Sequence, residues 1–181
     1  MTLARKLTLV LTALVWPDFA DFAMAQGKEV LTPLPATAAA GNTFSDWVFQ
    51  TSGEGDQKVC FAATVAKQLG AGAAKRSESV LYISAWPKEG IRSEFSIKLG
   101  YPAKAIVGAK VTVGLNKYNL FIKGERAYVS DATLELKLLE AMKKGSKLTV
   151  EATAEGGGQV TDTYSLSGIS QALQAQAAAC P

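Results

Sequence analysis

QVTDTYSLSGISQALQAQAAAC, residues 159–180, is the stretch that decides the fold. Val160, Asp162, Tyr164 and Leu166 alternate with Thr161, Thr163 and Ser165, the two-residue period of a half-buried strand rich in β-branched and aromatic residues. Ser167 and Gly168 interrupt that alternation. Beyond them Ile169, Leu173, Gln176 and Cys180 recur at helical spacing on one face, and a serine at 167 or 170 has the side chain to cap the first turn. The run predicts a strand, a turn and a helix ending in a cysteine. The only intrachain partner for Cys180 is Cys60, 120 positions earlier, so a bond between them would clamp the last helix to an early strand.

Upstream of this stretch the same two-residue period returns many times. Residues 44–51 alternate, with Trp47 and Phe49 on one side. In residues 58–65 Val59, Phe61, Ala63 and Val65 oppose Cys60, Ala62 and Thr64. The larger set is expected to face the core, and the small face with Cys60 to leave room for the last helix. Residues 68–79 read as a Gly/Ala-rich loop, 80–86 as an apolar strand, and 91–99 as a strand with one wet face. Segments 110–115 and 118–123 flank Asn116-Lys117 as a hairpin, and a short strand follows at 126–130. Asp131 is placed to cap a helix with Leu134, Leu138, Ala141 and Met142 on its apolar stripe, a Glu140–Lys144 pair on its surface and Gly145 at its end. Residues 147–154 form another strand, and Gly156-Gly157-Gly158 turns the chain into the deciding stretch. The expected architecture is mainly β, an antiparallel sandwich or barrel-like domain of about eight or nine strands with two short helices packed on it.

With 181 residues there is length for one domain with a real core, expected over residues 44–181. The N-terminus has the form of a secretory signal over residues 1–25: Arg5 and Lys6, an apolar run at 7–16, and Ala23-Met24-Ala25 as the cleavage site. That run is too short to span a bilayer, so no membrane span is expected after cleavage. Residues 26–43, with prolines and small residues, have the composition of a flexible leader. Removing the signal leaves 17 basic and 14 acidic side chains, net +3. The one basic cluster, Lys143, Lys144 and Lys147, lies at a helix end, where the macrodipole accounts for it, so no nucleic-acid partner is expected. Two cysteines in an exported chain read as one disulfide in an oxidising compartment.

The chain contains no histidine. Ser-His and Cys-His nucleophilic pairs are therefore excluded and most zinc or copper sites disfavoured, and paired cysteines supply no thiolate. A carboxylate pair is what remains for an enzyme. Glu151 and Asp162 lie on successive strands, and at suitable separation two such groups cleave a glycosidic bond, which makes a periplasmic glycan hydrolase the alternative reading. Each has a simpler explanation, Glu151 facing water between Val150 and Ala152, and Asp162 pairing with a lysine or holding a turn. The glycine run lacks the lysine and helix of a phosphate loop, and no calcium-loop pattern occurs. Hence no catalytic, metal or cofactor residues are assigned, and no cofactor is expected. Trp47, Tyr82, Trp86, Tyr101 and Tyr118 are candidates for an aromatic recognition surface, although aromatic residues in strands are more often core.

Several pieces, in order, carry a family resemblance: Phe44-Ser45-Asp46-Trp47, Lys58-Val59-Cys60-Phe61-Ala62, Ile97-Lys98-Leu99-Gly100-Tyr101-Pro102, Ala141-Met142-Lys143-Lys144-Gly145, and Asp162-Thr163-Tyr164-Ser165-Leu166-Ser167-Gly168 with Ala172-Leu173 and Cys180. Over residues 44–180 the chain resembles the invasion-associated locus B family of exported proteins of Gram-negative bacteria. It lacks the further cysteines of many members and is similar to a branch with a single disulfide. The resemblance implies a periplasmic or surface-associated β-sandwich-like domain, outer-membrane associated or secreted in some settings, and an association with host-cell entry in some pathogens. It implies no enzymatic activity. The reading that follows is an exported, non-enzymatic domain whose partner is an unknown envelope or host-surface component.

Overall fold

The computed structural model describes residues 42–181. The signal expected at 1–25 and the leader up to residue 41 lie outside the described residues. Ten strands are present: β1 (Thr43–Phe44), β2 (Trp47–Ser52), β3 (Val59–Val65), β4 (Val80–Trp86), β5 (Ile91–Lys98), β6 (Ala109–Val113), β7 (Asn116–Lys123), β8 (Arg126–Tyr128), β9 (Lys147–Thr153) and β10 (Gln159–Ser165). Helix α1 (Ala132–Lys144) lies between β8 and β9, and α2 (Ile169–Ala179) ends the chain. All strand pairs are antiparallel in one open sheet, order β1-β2-β3-β4-β5-β8-β7-β6-β9-β10, folded as a β-sandwich-like domain.

One face of this sheet is dry along its whole length. Trp47, Ala62, Leu81, Ile83, Phe95, Ile97, Val111, Leu148, Val150, Val160 and Tyr164 are buried together, and Leu138 and Met142 of α1 and Ile169 and Ala172 of α2 join them. β10 follows the alternation its sequence sets out, with Val160, Asp162 and Tyr164 all buried. Its outer edge is not left free. Lys67 donates to the Thr163 carbonyl at 2.8 Å, and Thr163 donates to that of Gln68 at 2.9 Å. Gly70 continues this cover, and a Cβ there would fall 2.5 Å from the Thr161 carbonyl oxygen, so only glycine lets the segment lie so close.

Four local details differ from the sequence reading. Residues 44–51 do not form one strand: Ser45 takes a left-handed turn (φ 53°) and splits them into β1 and β2, which makes ten strands rather than nine. The β6–β7 turn is Gly114-Leu115, not Asn116-Lys117, because Gly114 supplies the positive φ (59°) at its first position while Val113 pairs with Asn116. Helix α2 starts at Gly168, itself left-handed (φ 96°), without a serine side-chain cap. Glu140 pairs with Lys143 at 2.8 Å, one residue short of Lys144. On α1 the caps hold, while the buried stripe is Leu138, Leu139 and Met142, with Leu134 exposed in the first turn. The Asp131 carboxylate accepts the Leu134 N–H at 2.9 Å, and the helix ends at Gly145.

β3 is turned over relative to expectation. Cys60, Ala62 and Thr64, the small set, point into the dry side, while Val59, Phe61 and Val65 are half-buried on the other. The small face is inward because α2 lies against it. Cys60 and Cys180 form a disulfide with Cα atoms 6.1 Å apart, walled by Phe49 and Ala85. Lys58 donates to the Ala179 carbonyl at 2.7 Å, satisfying one orphan acceptor of the helix end with a cation where the macrodipole favours it.

Candidate functional site

The two carboxylates singled out for hydrolysis are not brought together. Asp162 pairs across the ladder with Val150 and is buried on the dry side, whereas Glu151, paired with Thr161, belongs to the opposite face of the same two strands. A one-residue offset in a strand is enough to separate them. Asp162 is also already engaged, though by an arginine rather than a lysine: Arg76 donates to its two oxygens at 3.0 and 2.6 Å, and Gly70 donates its N–H at 3.0 Å. The guanidinium also reaches the carbonyls of Gly70 and Leu99 and lies 5.1 Å from the centre of the Tyr101 ring. Beside it the Tyr164 hydroxyl and Ser79 share a buried 2.6 Å hydrogen bond. Burial pushes the Tyr101 phenol up to about 12 and raises that of Tyr164 further. These groups lock the loop at 67–79 onto β10.

The aromatic candidates divide in the same way. Trp47 and Tyr101 are core; the Trp47 indole donates to the Ser165 carbonyl at 3.1 Å. Tyr118 is half-buried against α1, with its hydroxyl donating to the Lys137 carbonyl. Tyr82 and Trp86 belong to the other, outer face of the sheet. There the strand register assembles a surface that no single segment of sequence displays. Across β4, β5, β8 and β7 it aligns Tyr82, Ser96, Tyr128 and Phe121 in one row. Phe121 and Tyr128 stack with centroids 5.4 Å apart, and Phe61 on β3 meets Tyr82 edge-on at 6.0 Å. Phe121 remains 46% exposed.

Two residues further along the strands the same register sets Lys98, Arg126 and Lys123 side by side. The Arg126 guanidinium lies over the Tyr82 ring at 5.2 Å, a cation–π contact. Burial raises the Tyr82 phenol, against the pull of that arginine. On the far side of the aromatic row are Glu94 and, from α1, Glu135, whose carboxylate accepts the Phe95 N–H at 2.8 Å past the end of β8. Burial raises both carboxyls, Glu94's charge adds to the rise at Glu135, and Arg126 opposes it at Glu94. Glu135 thus stands in for a missing strand partner. The outer face carries half-buried rings, with Ser96 buried between them and Phe121 the exposed one, flanked by cations on one side and by carboxyls on the other.

Phe61, Phe121 and Tyr128 are not among the aromatic candidates that the sequence offers: the size pattern of β3 assigns Phe61 to the core, and the pairing of β5 with β8 joins segments far apart in the chain. Among the described residues no cluster of three or more acidic or cysteine side chains is arranged to hold a metal ion, and no helix is long and apolar enough to cross a membrane.

The fold is similar to the crystal structure of invasion associated protein B from Bartonella henselae, with a TM-score of 0.54, 18% identity, and coverage of 76% of this chain and 95% of that one. No protein of curated function matches. The model of the invasion associated locus B (IalB) protein family matches residues 47–177, from the buried tryptophan of β2 to the last helix. The chain belongs to the invasion associated locus B family.

Proposed function

We propose that this chain is an exported, non-enzymatic domain of the envelope, periplasmic or carried to the cell surface, that binds another envelope or host-surface component through the outer face of β4, β5, β8 and β7. The observation that carries the reading is the aromatic row on a face the core does not use, ending in Phe121 at 46% exposure. Phe121, open to solvent beside half-buried rings gathered on one face, has the character of a contact surface.

Export is supported by the residues 1–25 pattern and by the Cys60–Cys180 disulfide, since such bonds persist in oxidising compartments. A binding role is favoured over hydrolysis by the separation of Glu151 from Asp162 and by the arginine that already occupies Asp162. The family's name associates it with invasion, and a host-surface component is therefore one of the partners to be tested.

The experiment is a paired capture from solubilised envelopes and from host-cell membranes, with the tagged mature chain and its F121S variant as baits. An envelope or host component retained by the parent and lost by F121S is the expected result. Equal capture by the two baits, or none above background by the parent, overturns the reading.

A further inference from the structure

We infer that the outer face takes an anionic polysaccharide, with sugar rings laid on the aromatic row and carboxylate or phosphate groups on the row Lys98, Arg126 and Lys123. The inference rests on the reading of that face as the binding surface. It adds the chemistry of the ligand.

The first support is unbalanced charge. Like charges directly opposite one another on neighbouring strands are destabilising, yet Lys98 is paired with Arg126 and Arg126 with Lys123. Among the described residues none of the three forms an ion pair, whereas Lys67, Arg76 and Lys143 all do. Glu94 feels Arg126 but stands beyond the aromatic row, without contact. An external anion lying along the cation row relieves this repulsion. Arg126 is suited to meet it, because a guanidinium stacked on a ring keeps its planar fork for a carboxylate or phosphate.

The second support is shape. With strands about 4.8 Å apart, the row from Tyr82 to Phe121 extends about 14 Å across four strands, with buried Ser96 between Tyr82 and Tyr128, and the cation row runs parallel to it about 7 Å away along the strands. This is a flat track rather than a cavity, suited to a repeating chain that contacts it several times and unsuited to enclosing one small ion. Pyranose rings present flat C–H faces to aromatic rings while their substituents project sideways, where the cations stand. A protein partner's apolar anchor would need a pocket, and Val80 on this face is itself buried and offers no apolar surface for one.

The test titrates the mature chain with polygalacturonate, dextran of matched length, single-stranded DNA and anionic phospholipid vesicles, at several salt concentrations. Polygalacturonate is expected to bind at least about tenfold more tightly than dextran, with affinity falling as salt rises. The K98Q/R126Q/K123Q variant is expected to lose most of the salt dependence, and F121S to weaken binding about tenfold, each with a cooperative melt within a few degrees of the parent. Equal binding of dextran, equal binding by the triple variant, or DNA or vesicles bound as tightly as polygalacturonate overturns the inference. If polygalacturonate does not bind but F121S still abolishes capture from envelopes, the glycan assignment falls and the binding face stands. If F121S alters neither readout, both fall.

Discussion

Arg76 holds Asp162 across 86 residues of chain by two parallel hydrogen bonds, 3.0 and 2.6 Å long, with the aspartate almost wholly buried. The pair fastens the loop between β3 and β4 to the last strand, so its loss is felt at a sheet edge. Removing one partner of a buried pair strands the other charge. D162A is expected to lose about 3–5 kcal/mol of stability in denaturant unfolding. Replacing both residues with apolar side chains of similar volume should cost less than D162A alone. A loss under about 1 kcal/mol for D162A would show that the pair is solvated rather than structural.

The disulfide and the Lys58 contact act at one point, where the end of α2 meets β3. Closing a loop of this length is worth at most about 5 kcal/mol in chain-entropy terms. C60S and C180S are each expected to lower the melting temperature by several degrees, and C60S/C180S to do no more than either alone. Thermal melts of the three variants, with and without reductant, make the comparison. Additive losses would mean that the sulfurs are not paired in the folded protein.

How much of this was legible beforehand depended on whether a residue's partner was local. The strand at 159–165 and the Asp131 cap are set by neighbours within a few positions, and both appear where the pattern places them. Side-chain size is a poor guide to the inward face of β3. Size fails where a helix backbone must approach the strand, and there the small residues Cys60 and Ala62 go inside. Glu151 and Asp162 follow the simpler of their two readings, since proximity in a hairpin brings two side chains together only when the parity of the register allows it. The outer platform was invisible because its rows cross from β5 to β8, a pairing that passes over β6 and β7 in the chain, whereas the β7–β8 hairpin is local.

Alkali provides an independent test of the Arg76 surroundings. The Tyr101 phenol, raised to about 12 by burial, ordinarily loses its proton near pH 10. Between those values the unfolded chain has released the proton and the folded chain still holds it, so stability falls as pH rises through the window and is intact below it. Y101F keeps the ring beside Arg76 and removes this linkage. Its melting temperature is expected to match the parent near neutrality and to decline less steeply above about pH 10. Identical alkaline slopes for the two proteins would place the Tyr101 phenol in water.

The most direct check on the outer face compares adjacent residues of β7. Ile122 is paired with Ala127 on the dry side and 7% exposed, whereas Phe121 faces outward at 46%. I122A opens a cavity and is expected to cost about 2–5 kcal/mol. F121A removes a larger side chain but loses mainly its stacking on Tyr128, so its cost should be about 1 kcal/mol or less. Denaturant unfolding of both variants decides the matter. If F121A proved as costly as I122A, the ring would belong to the packing of the sheet, and a surface kept for folding would no longer argue for a ligand; a small loss leaves contact with another molecule as the reason for a phenylalanine there.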